Sequence, residues 1–193
     1  MIFVIDTSSA LTALAVLDGS GAVRREVFLP ARSPQLVERM REMATGHTLT
    51  RVAVATGPGS FTGLRMGVSF GLGLAMGLRI PIVPLPTLEL QAARGETPVI
   101  AVSEAGRGRV YYLVPGGQPA LGQPGEIPKT HPLVGFVSAA VEAALEEAGH
   151  EFAPEPELRS FGEAAALLLE SAPEVAYGSL KLEYMQSFSI RGL

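Results

Sequence analysis

A glycine-rich segment constrains this chain more than any other part of its sequence. It covers residues 57–65 (GPGSFTGLR), after a strand-like run at 51–55 and at the start of the apolar stretch 64–78. Glycine lets the backbone turn sharply and approach a neighbouring chain, and the first turn of a helix offers free N–H groups to an anion. The segment therefore predicts a strand, a tight loop and a helix. The loop is either an anion site or a structural turn.

The best-known phosphate-binding loops do not match this segment. No Gly-Lys-Ser/Thr sequence follows it, as a Walker A loop requires. The spacing G-x-G-x-x-x-G, with Pro58 inside, also differs from the dinucleotide-binding fingerprint. Anion binding and a purely structural role both stay open on these grounds.

The first 100 residues predict the element order βββαβαβα. Strand-like runs at 2–5, 11–17 and 23–29 are joined by tight turns, which is typical of an antiparallel meander. Further strands at 51–55 and 80–85 each follow a helical stretch. A meander that feeds crossover helices indicates a mixed α/β sheet and differs from a strictly alternating, doubly wound one.

The first helix of this half has a clear apolar face. It is expected to begin at Ser33, which can cap the free N–H groups, with Pro34 at the first helical position, and to end at Gly46. The predicted apolar face consists of Leu36, Val37, Met40, Met43 and Ala44.

The helix at 64–78 is apolar nearly all round, which predicts burial on most of its sides. Gly67, Gly71 and Gly77, with Gly73 offset, each lower the helix propensity by roughly 1 kcal/mol relative to alanine. Such a cost is tolerated where backbones approach closely. The glycines therefore face the helix's own sheet, a second subunit, or both.

The second half predicts a smaller lobe and a tail. Strands at 99–102 and 110–114 precede a loop rich in glycine and proline at 115–132. Helices follow at 136–148 and after a capping box formed by Ser160 and Glu163. Residues 175–177 predict a last strand, and 179–193 a tail.

Asp6-Thr7-Ser8, at the end of the first strand, is a second candidate site. A carboxylate and hydroxyl groups at a strand end can orient a metal-bound phosphate. Asp18 is the one other aspartate and lies in a predicted turn, which leaves a glutamate such as Glu104 as the second carboxylate. This scarcity disfavours ATP hydrolysis by the chain alone. The structural alternative is that Asp6 caps a turn of its own backbone.

Composition excludes several other chemistries. The chain has no cysteine, which excludes disulfides, iron–sulfur clusters and thiol catalysis, and its three histidines lack the spacing of a zinc protease. The net charge is +2 over residues 1–100 and −6 over 101–193, so any nucleic-acid contact is expected in the first half. With no targeting signal and no apolar run of the roughly 20 residues that a bilayer requires, we expect a cytoplasmic protein without membrane contact.

Three stretches resemble the TsaB (YeaZ) family of bacterial tRNA-modification proteins: residues 2–8 (IFVIDTS), 57–67 (GPGSFTGLRMG) and 86–89 (PTLE). The resemblance implies an actin/sugar-kinase-like (ASKHA, ribonuclease H-like) two-lobed α/β fold with a mixed sheet. It also implies a scaffold subunit without catalytic residues, cofactor or metal. In the family, this subunit serves threonylcarbamoylation of the adenosine beside the anticodon of ANN-decoding tRNAs.

By the same resemblance, the partners are a TsaD-like transferase and a TsaE-like ATPase, with tRNA reached through the complex and a homodimer when the chain is alone. Partner binding falls on Leu36, Met40, Met43, Met66, Gly67 and Gly71. A vestigial phosphate site would comprise Asp6, Thr7, Gly59, Ser60, Thr62, Gly63 and Arg65. The alternative function is a small ATPase or phosphotransferase of the same superfold, and a peptidase is a third.

The expected division of the chain follows from these patterns. Residues 1–98 form an N-terminal lobe with the partner-binding helices, 99–172 a reduced second lobe, and 173–193 a C-terminal segment that can return to the first lobe. The chain departs from the family pattern at Ser33, where histidine is usual, at Glu104 and Gly106, and at 177–179. The departures at Glu104, Gly106 and 177–179 fall outside the expected partner-binding lobe.

Overall fold

The computed structural model describes residues 1–31 and 33–183. Its first sheet has five strands in the order β3-β2-β1-β4-β5, in which β1 pairs antiparallel with β2 and parallel with β4. The βββαβαβα prediction is confirmed. The elements of this half are β1 (Ile2–Asp6), β2 (Leu11–Leu17), β3 (Val23–Pro30), α1 (Leu36–Ala44), β4 (Arg51–Gly57), α2 (Phe61–Leu78), β5 (Ile82–Pro86) and α3 (Thr87–Ala92).

Both faces of this sheet are buried because its central strands are apolar on both sides. On β1, Phe3 and Ile5 pack in the core beneath α1 and α2, whereas Ile2 and Val4 pack in the core on the opposite face. Strand residues alternate between the two faces, so a continuous apolar run of this kind serves two helical layers.

A second sheet has four strands in the order β8-β7-β6-β9. Its elements and those that follow are β6 (Ile100–Gly106), β7 (Arg109–Leu113), β8 (Ala120–Gly122), β9 (Leu133–Val134), α4 (Ala139–Glu147) and α5 (Phe161–Leu169). The prediction of an unstructured loop at 115–132 is wrong in part, because β8 pairs with β7 inside that range. Strands of two or three residues are too short to produce a periodic sequence pattern.

Two predicted helix starts are also wrong. Helix α1 begins at Leu36, with Gln35 at the N-cap, and Ser33 instead accepts a hydrogen bond from the Gln35 N–H in the preceding turn. Helix α4 begins at Ala139, and Ser138 at its N-cap donates its hydroxyl to Glu104. The Ser33 bond is a local one that competes with the helix, whereas the Ser138 hydroxyl bonds a residue 34 positions earlier in the chain.

Helix α5 packs against the first sheet, although it lies within the range expected for the second lobe. The capping box is confirmed: Ser160 Oγ accepts from the Glu163 N–H at 3.2 Å, and the Glu163 carboxylate accepts from the Ser160 N–H at 2.8 Å. Phe161 is fully buried in the core formed by β1, β2 and β5. Helix α5 therefore covers the face of the first sheet opposite α1 and α2.

Residues 173–183 run along the first lobe. Val175 forms an isolated antiparallel bridge with Ile82, in place of the predicted strand. The Tyr177 hydroxyl donates to the carbonyl oxygens of Ala75 and Ile80, and the Glu183 N–H donates to the Thr56 carbonyl at 2.8 Å. The rest of the predicted tail, 184–193, lies outside the described residues.

Candidate functional site

The end of β1 lies directly against the glycine-rich loop. A Cβ atom on Gly59 would lie 2.5 Å from the Ser8 carbonyl oxygen, and one on Gly63 would lie 1.9 Å from that of Thr7. The Ser60 N–H donates to the Ser8 carbonyl at 2.7 Å. The glycines of this loop are therefore needed for the close approach of the chain's own backbone, as the structural alternative predicts.

Asp6 is fully buried and is held by its own neighbours. Its Oδ1 accepts from the Ser8 N–H at 2.8 Å and from the Ser8 hydroxyl at 2.6 Å, which is the turn cap considered as the structural alternative. Its Oδ2 has no hydrogen-bond partner among the described residues.

Burial raises the pKa of Asp6 above its ordinary value of 3.8. The hydrogen bonds from Ser8, and more weakly the nearby Gln91 amide on α3, act in the opposite direction. Desolvation is the largest effect because it disfavours the charged form of the carboxyl group. The carboxyl group is thus turned into the fold, in surroundings that disfavour its charged form.

Two side chains form hydrogen bonds with the backbone at the start of α2. Ser60 is the N-cap and accepts from the Gly63 N–H at 3.2 Å, while the Thr7 hydroxyl donates to the Gly63 carbonyl at 2.7 Å. Thr62 and Arg65 lie on the exposed side of the helix, where the Arg65 guanidinium stacks 3.8 Å from the Phe61 ring centroid.

The expected phosphate-site residues therefore divide into two sets. Asp6, Thr7, Gly59, Ser60 and Gly63 come together at one end of the first sheet, and Thr62 and Arg65 face away from them. Glu104, the candidate second carboxylate, accepts hydrogen bonds from the Ser138 hydroxyl and N–H. Phosphate binding by this group stays a prediction.

Arg94 is a buried polar group that the sequence patterns did not single out. Its side chain is 2% exposed and pairs with Glu155, while the guanidinium lies 4.5 Å from the Phe136 ring centroid. Its Nε also donates to the Arg159 carbonyl. No local sequence pattern distinguishes a buried arginine of this kind from one on the surface, since the partners of Arg94 lie more than 40 residues away in the chain.

The glycines of α2 divide between the two sides of the helix. Gly67 and Gly71 face the sheet: a Cβ on Gly71 would lie 2.4 Å from Val54 Cγ1. Gly73 and Gly77 have no atom within 4 Å of that position. The expectation that α2 is buried on most sides is wrong, because the buried residues of the helix are Leu64, Gly67, Gly71 and Ala75.

The outer side of α1 and α2 carries exposed apolar side chains. Met76 is 52% exposed and Val37, expected on the inner face of α1, is 62% exposed. Leu36, Met40, Met43, Gly67 and Gly71 are buried between these helices and the sheet, and Met66 is half-buried. We call the exposed residues Val37, Gly73, Met76, Gly77 and Leu78 the outer helix surface.

Within residues 1–31 and 33–183 there is no group of three histidine, aspartate or glutamate side chains that could hold a metal ion. In the same part of the chain, α2 is the one helix long and apolar enough to cross a membrane by length and composition. Core helices of soluble proteins pass that test as well.

The sequence matches known proteins over part of its length. Residues 34–122 match the family model "TsaD: tRNA N6-adenosine threonylcarbamoyltransferase". The tRNA threonylcarbamoyladenosine biosynthesis protein TsaB of Escherichia coli is 31% identical over 122 residues, which are 58% of this chain and 53% of that protein. The TsaB of Bacillus subtilis is 42% identical over 66 residues, or 33% of this chain and 29% of that protein. The chain thus spans about half the length, or less, of these curated relatives.

The fold has a solved counterpart over nearly its whole length. YeaZ from Pseudomonas aeruginosa superposes with a TM-score of 0.72 at 18% identity, covering 95% of this chain and 99% of that one. The mixed five-stranded sheet with helices on both faces, joined to a second sheet, defines an α/β protein of the actin-like, ribonuclease H-like class. Together with the curated relatives, this similarity supports assignment to the TsaB (YeaZ) family, whose matched members are named for tRNA threonylcarbamoyladenosine biosynthesis.

Proposed function

We propose that this chain is a non-catalytic scaffold subunit for threonylcarbamoylation of the adenosine beside the anticodon of ANN-decoding tRNAs. It acts by binding a TsaD-like transferase in the cytoplasm, and a TsaE-like ATPase joins the complex. The tRNA is reached through the transferase, and the chain pairs with a second copy when the transferase is absent. Its relatives from Escherichia coli and Bacillus subtilis, both named for this biosynthesis, support the proposal.

The state of Asp6 supports a role without catalysis. In a phosphate-transferring member of such a fold, a carboxylate at this strand end must face a metal-bound phosphate. Here Asp6 is fully buried, is hydrogen-bonded by Ser8, and lies where burial favours its protonated form. Gly59 and Gly63 leave no room for a ligand against Ser8 and Thr7.

The observation that carries the proposal is the outer helix surface. Helix α2 has 18 residues of largely apolar composition, yet its buried residues occupy only the side that faces the sheet. Contiguous exposed apolar surface on a soluble domain marks an interaction site. The predicted partner-binding residues Leu36, Met40, Met43, Gly67 and Gly71 are buried beneath this surface, and half-buried Met66 packs against the same core.

Co-purification with a TsaD-like transferase tests this function. The complete chain should co-purify with the transferase, and charged substitution of the exposed Met76 (Met76→Glu) should abolish the complex while the isolated variant stays folded. Glu147→Lys, an exposed substitution on α4, is the control. Retention of the complex by Met76→Glu would contradict the proposed surface. Unchanged threonylcarbamoylation in cells that lack the chain would contradict the function itself.

The alternative is a small ATPase or phosphotransferase of the same superfold. The observation that favours it is the meeting of Asp6 and Thr7 with the N-terminus of α2, where Oδ2 of Asp6 has no partner among the described residues. A turnover assay separates the two functions. Metal-dependent ATP hydrolysis by the isolated chain that is lost in Asp6→Ala would favour the enzyme.

A further inference from the structure

An apolar cavity of about 650 Å³ opens beside β5, the edge strand of the first sheet. It lies between the end of β5, α3, the end of α5 and residues 179–183. Its volume falls within the range of sites that bind small molecules or side chains of a partner. Most of its lining is apolar, including Pro84, Leu85, Leu168, Ala172, Leu180 and Leu182.

A second cavity, of about 560 Å³, adjoins the first through a shared residue of α3. Glu89 lines both cavities, and the second is otherwise formed mainly by the loops 95–99 and 113–119. Glu89 is the one exposed side chain of α3. We call these two cavities, which share Glu89 of α3, the α3 groove.

The charged side chains of the α3 groove are mainly acidic. Glu89, Glu96 and Glu183 line it, and Lys181 is the one basic residue among its described lining. None of the three carboxylates forms a salt bridge within residues 1–31 and 33–183. Glu89 and Glu183 line the same cavity, and partial burial together with repulsion from Glu89 raises the pKa of Glu183.

We propose that the α3 groove binds an extended segment of a partner protein, with a lysine or arginine side chain between Glu89 and Glu183 and apolar side chains in the larger cavity. A cation at this point offsets the repulsion between the two carboxylates. The apolar lining of the larger cavity fits a segment with apolar residues beside the basic one. This contact goes beyond the proposed function, because no residue of the outer helix surface lines either cavity.

Selection from a random peptide library tests the proposal without assuming a partner. The complete chain is used as the target, and selected peptides are measured by calorimetry against three proteins: the wild type, Glu89→Gln/Glu183→Gln, and the control Glu146→Gln/Glu147→Gln. The control changes the charge equally, at two exposed positions on α4. We expect selected peptides to combine lysine or arginine with apolar residues. They should bind the groove variant about fivefold more weakly than the wild type, the size expected for exposed ion pairs, and bind the control equally well.

Three results of the peptide selection would overturn the proposal. They are the selection of no peptide, the selection of peptides without a basic residue, and equal binding to the groove variant and the wild type. Self-association of the wild type that is lost in the groove variant would assign the groove to a second copy of this chain, which also overturns the choice of a partner segment. Thermal unfolding of both double variants confirms that any loss of binding is not a loss of fold.

Discussion

Gly71 of α2 lies directly over Val54 of β4, with only 2.4 Å between the position of a Cβ atom on the glycine and the Val54 Cγ1 atom. Real Cβ atoms essentially never approach another atom so closely. Helix α2 can therefore pack this closely on its sheet only because residue 71 has no side chain. Two residues further on, Gly73 faces open space on the outer side of the same helix.

This relationship predicts opposite outcomes for the same substitution at the two glycines. Gly71→Leu should destabilise the protein by at least the 1 to 3 kcal/mol typical of an overpacked core, and it can abolish folding. Gly73→Leu should leave stability unchanged or raise it by about 1 kcal/mol, because leucine favours helix more than glycine does. Denaturant unfolding of the two variants measures both effects.

The same pair separates folding from partner binding. Gly73→Leu adds a bulky side chain to the outer helix surface, so it should reduce co-purification with a TsaD-like transferase while the chain stays folded. Equal stability of the two variants would show that α2 does not rest on β4 as described. Normal complex formation by Gly73→Leu would place the interface elsewhere.

A second prediction concerns the link between the first sheet and α5. The Glu26 carboxylate on β3 accepts hydrogen bonds from the Phe161 N–H at 3.0 Å and the Gly162 N–H at 3.3 Å, in the first turn of α5. Glu26→Ala should therefore lower the free energy of unfolding by about 1 kcal/mol, the usual cost of losing a helix cap. Chemical denaturation measures this loss, and Glu147→Ala on α4 serves as the control. A loss no larger than that of the control would mean that the cap contributes nothing.

Local sequence patterns predicted most of the first lobe. Tight turns between strands and the long helix at α2 leave strong periodic signals, and these elements were found in the predicted order. Patterns failed where partners come from distant parts of the chain. The strand β9 has two residues and depends on pairing with β6, and Glu26 caps a helix that begins 135 residues later.

The candidate site was predicted only in part, and for the same reason: its contacts join distant parts of the chain. The glycine spacing at 57–67 indicated close backbone approach but did not identify the neighbour. That neighbour is the turn Thr7-Ser8, about 50 residues earlier in the chain, and it appears only when β1 and β4 pair side by side. Likewise, the sequence showed that α2 is apolar but not that one of its sides is exposed. The residue pattern of a helix does not determine how many other elements pack against it.

The hairpin turn at Asp18 gives a third prediction. Hydrogen bonds from the Ser20 hydroxyl and N–H, at 2.6 and 2.8 Å, lower the pKa of Asp18 from 3.8 to about 2. A lowered pKa means that the ionised carboxylate stabilises the fold above pH 3.8, and that this contribution is lost as pH falls towards 2. Titration of the Asp18 carboxyl by NMR should therefore give a pKa near 2. Ser20→Ala should raise that value, and an unchanged value would show that Ser20 is not the cause.

Asp6, the other aspartate of the chain, should behave in the opposite way. Burial raises the pKa of Asp6, so the folded state binds its proton more tightly than the unfolded state does. The stability that the protonated form contributes is fully present below its ordinary pKa of 3.8 and is lost as pH rises through the raised value.

Asp6→Asn keeps an oxygen that accepts from Ser8 and carries no charge at any pH. The variant should therefore be at least as stable as the wild type at pH 7, and its stability should change less between pH 4 and 7. Urea unfolding at a series of pH values measures both quantities. Asp18→Asn is the matched control, since it should lower stability above pH 3.8 and change the pH dependence of stability only below that value. Equal pH dependence in Asp6→Asn and the wild type would mean that folding does not raise the pKa of Asp6, and a large loss of stability at pH 7 would mean that its negative charge is required there.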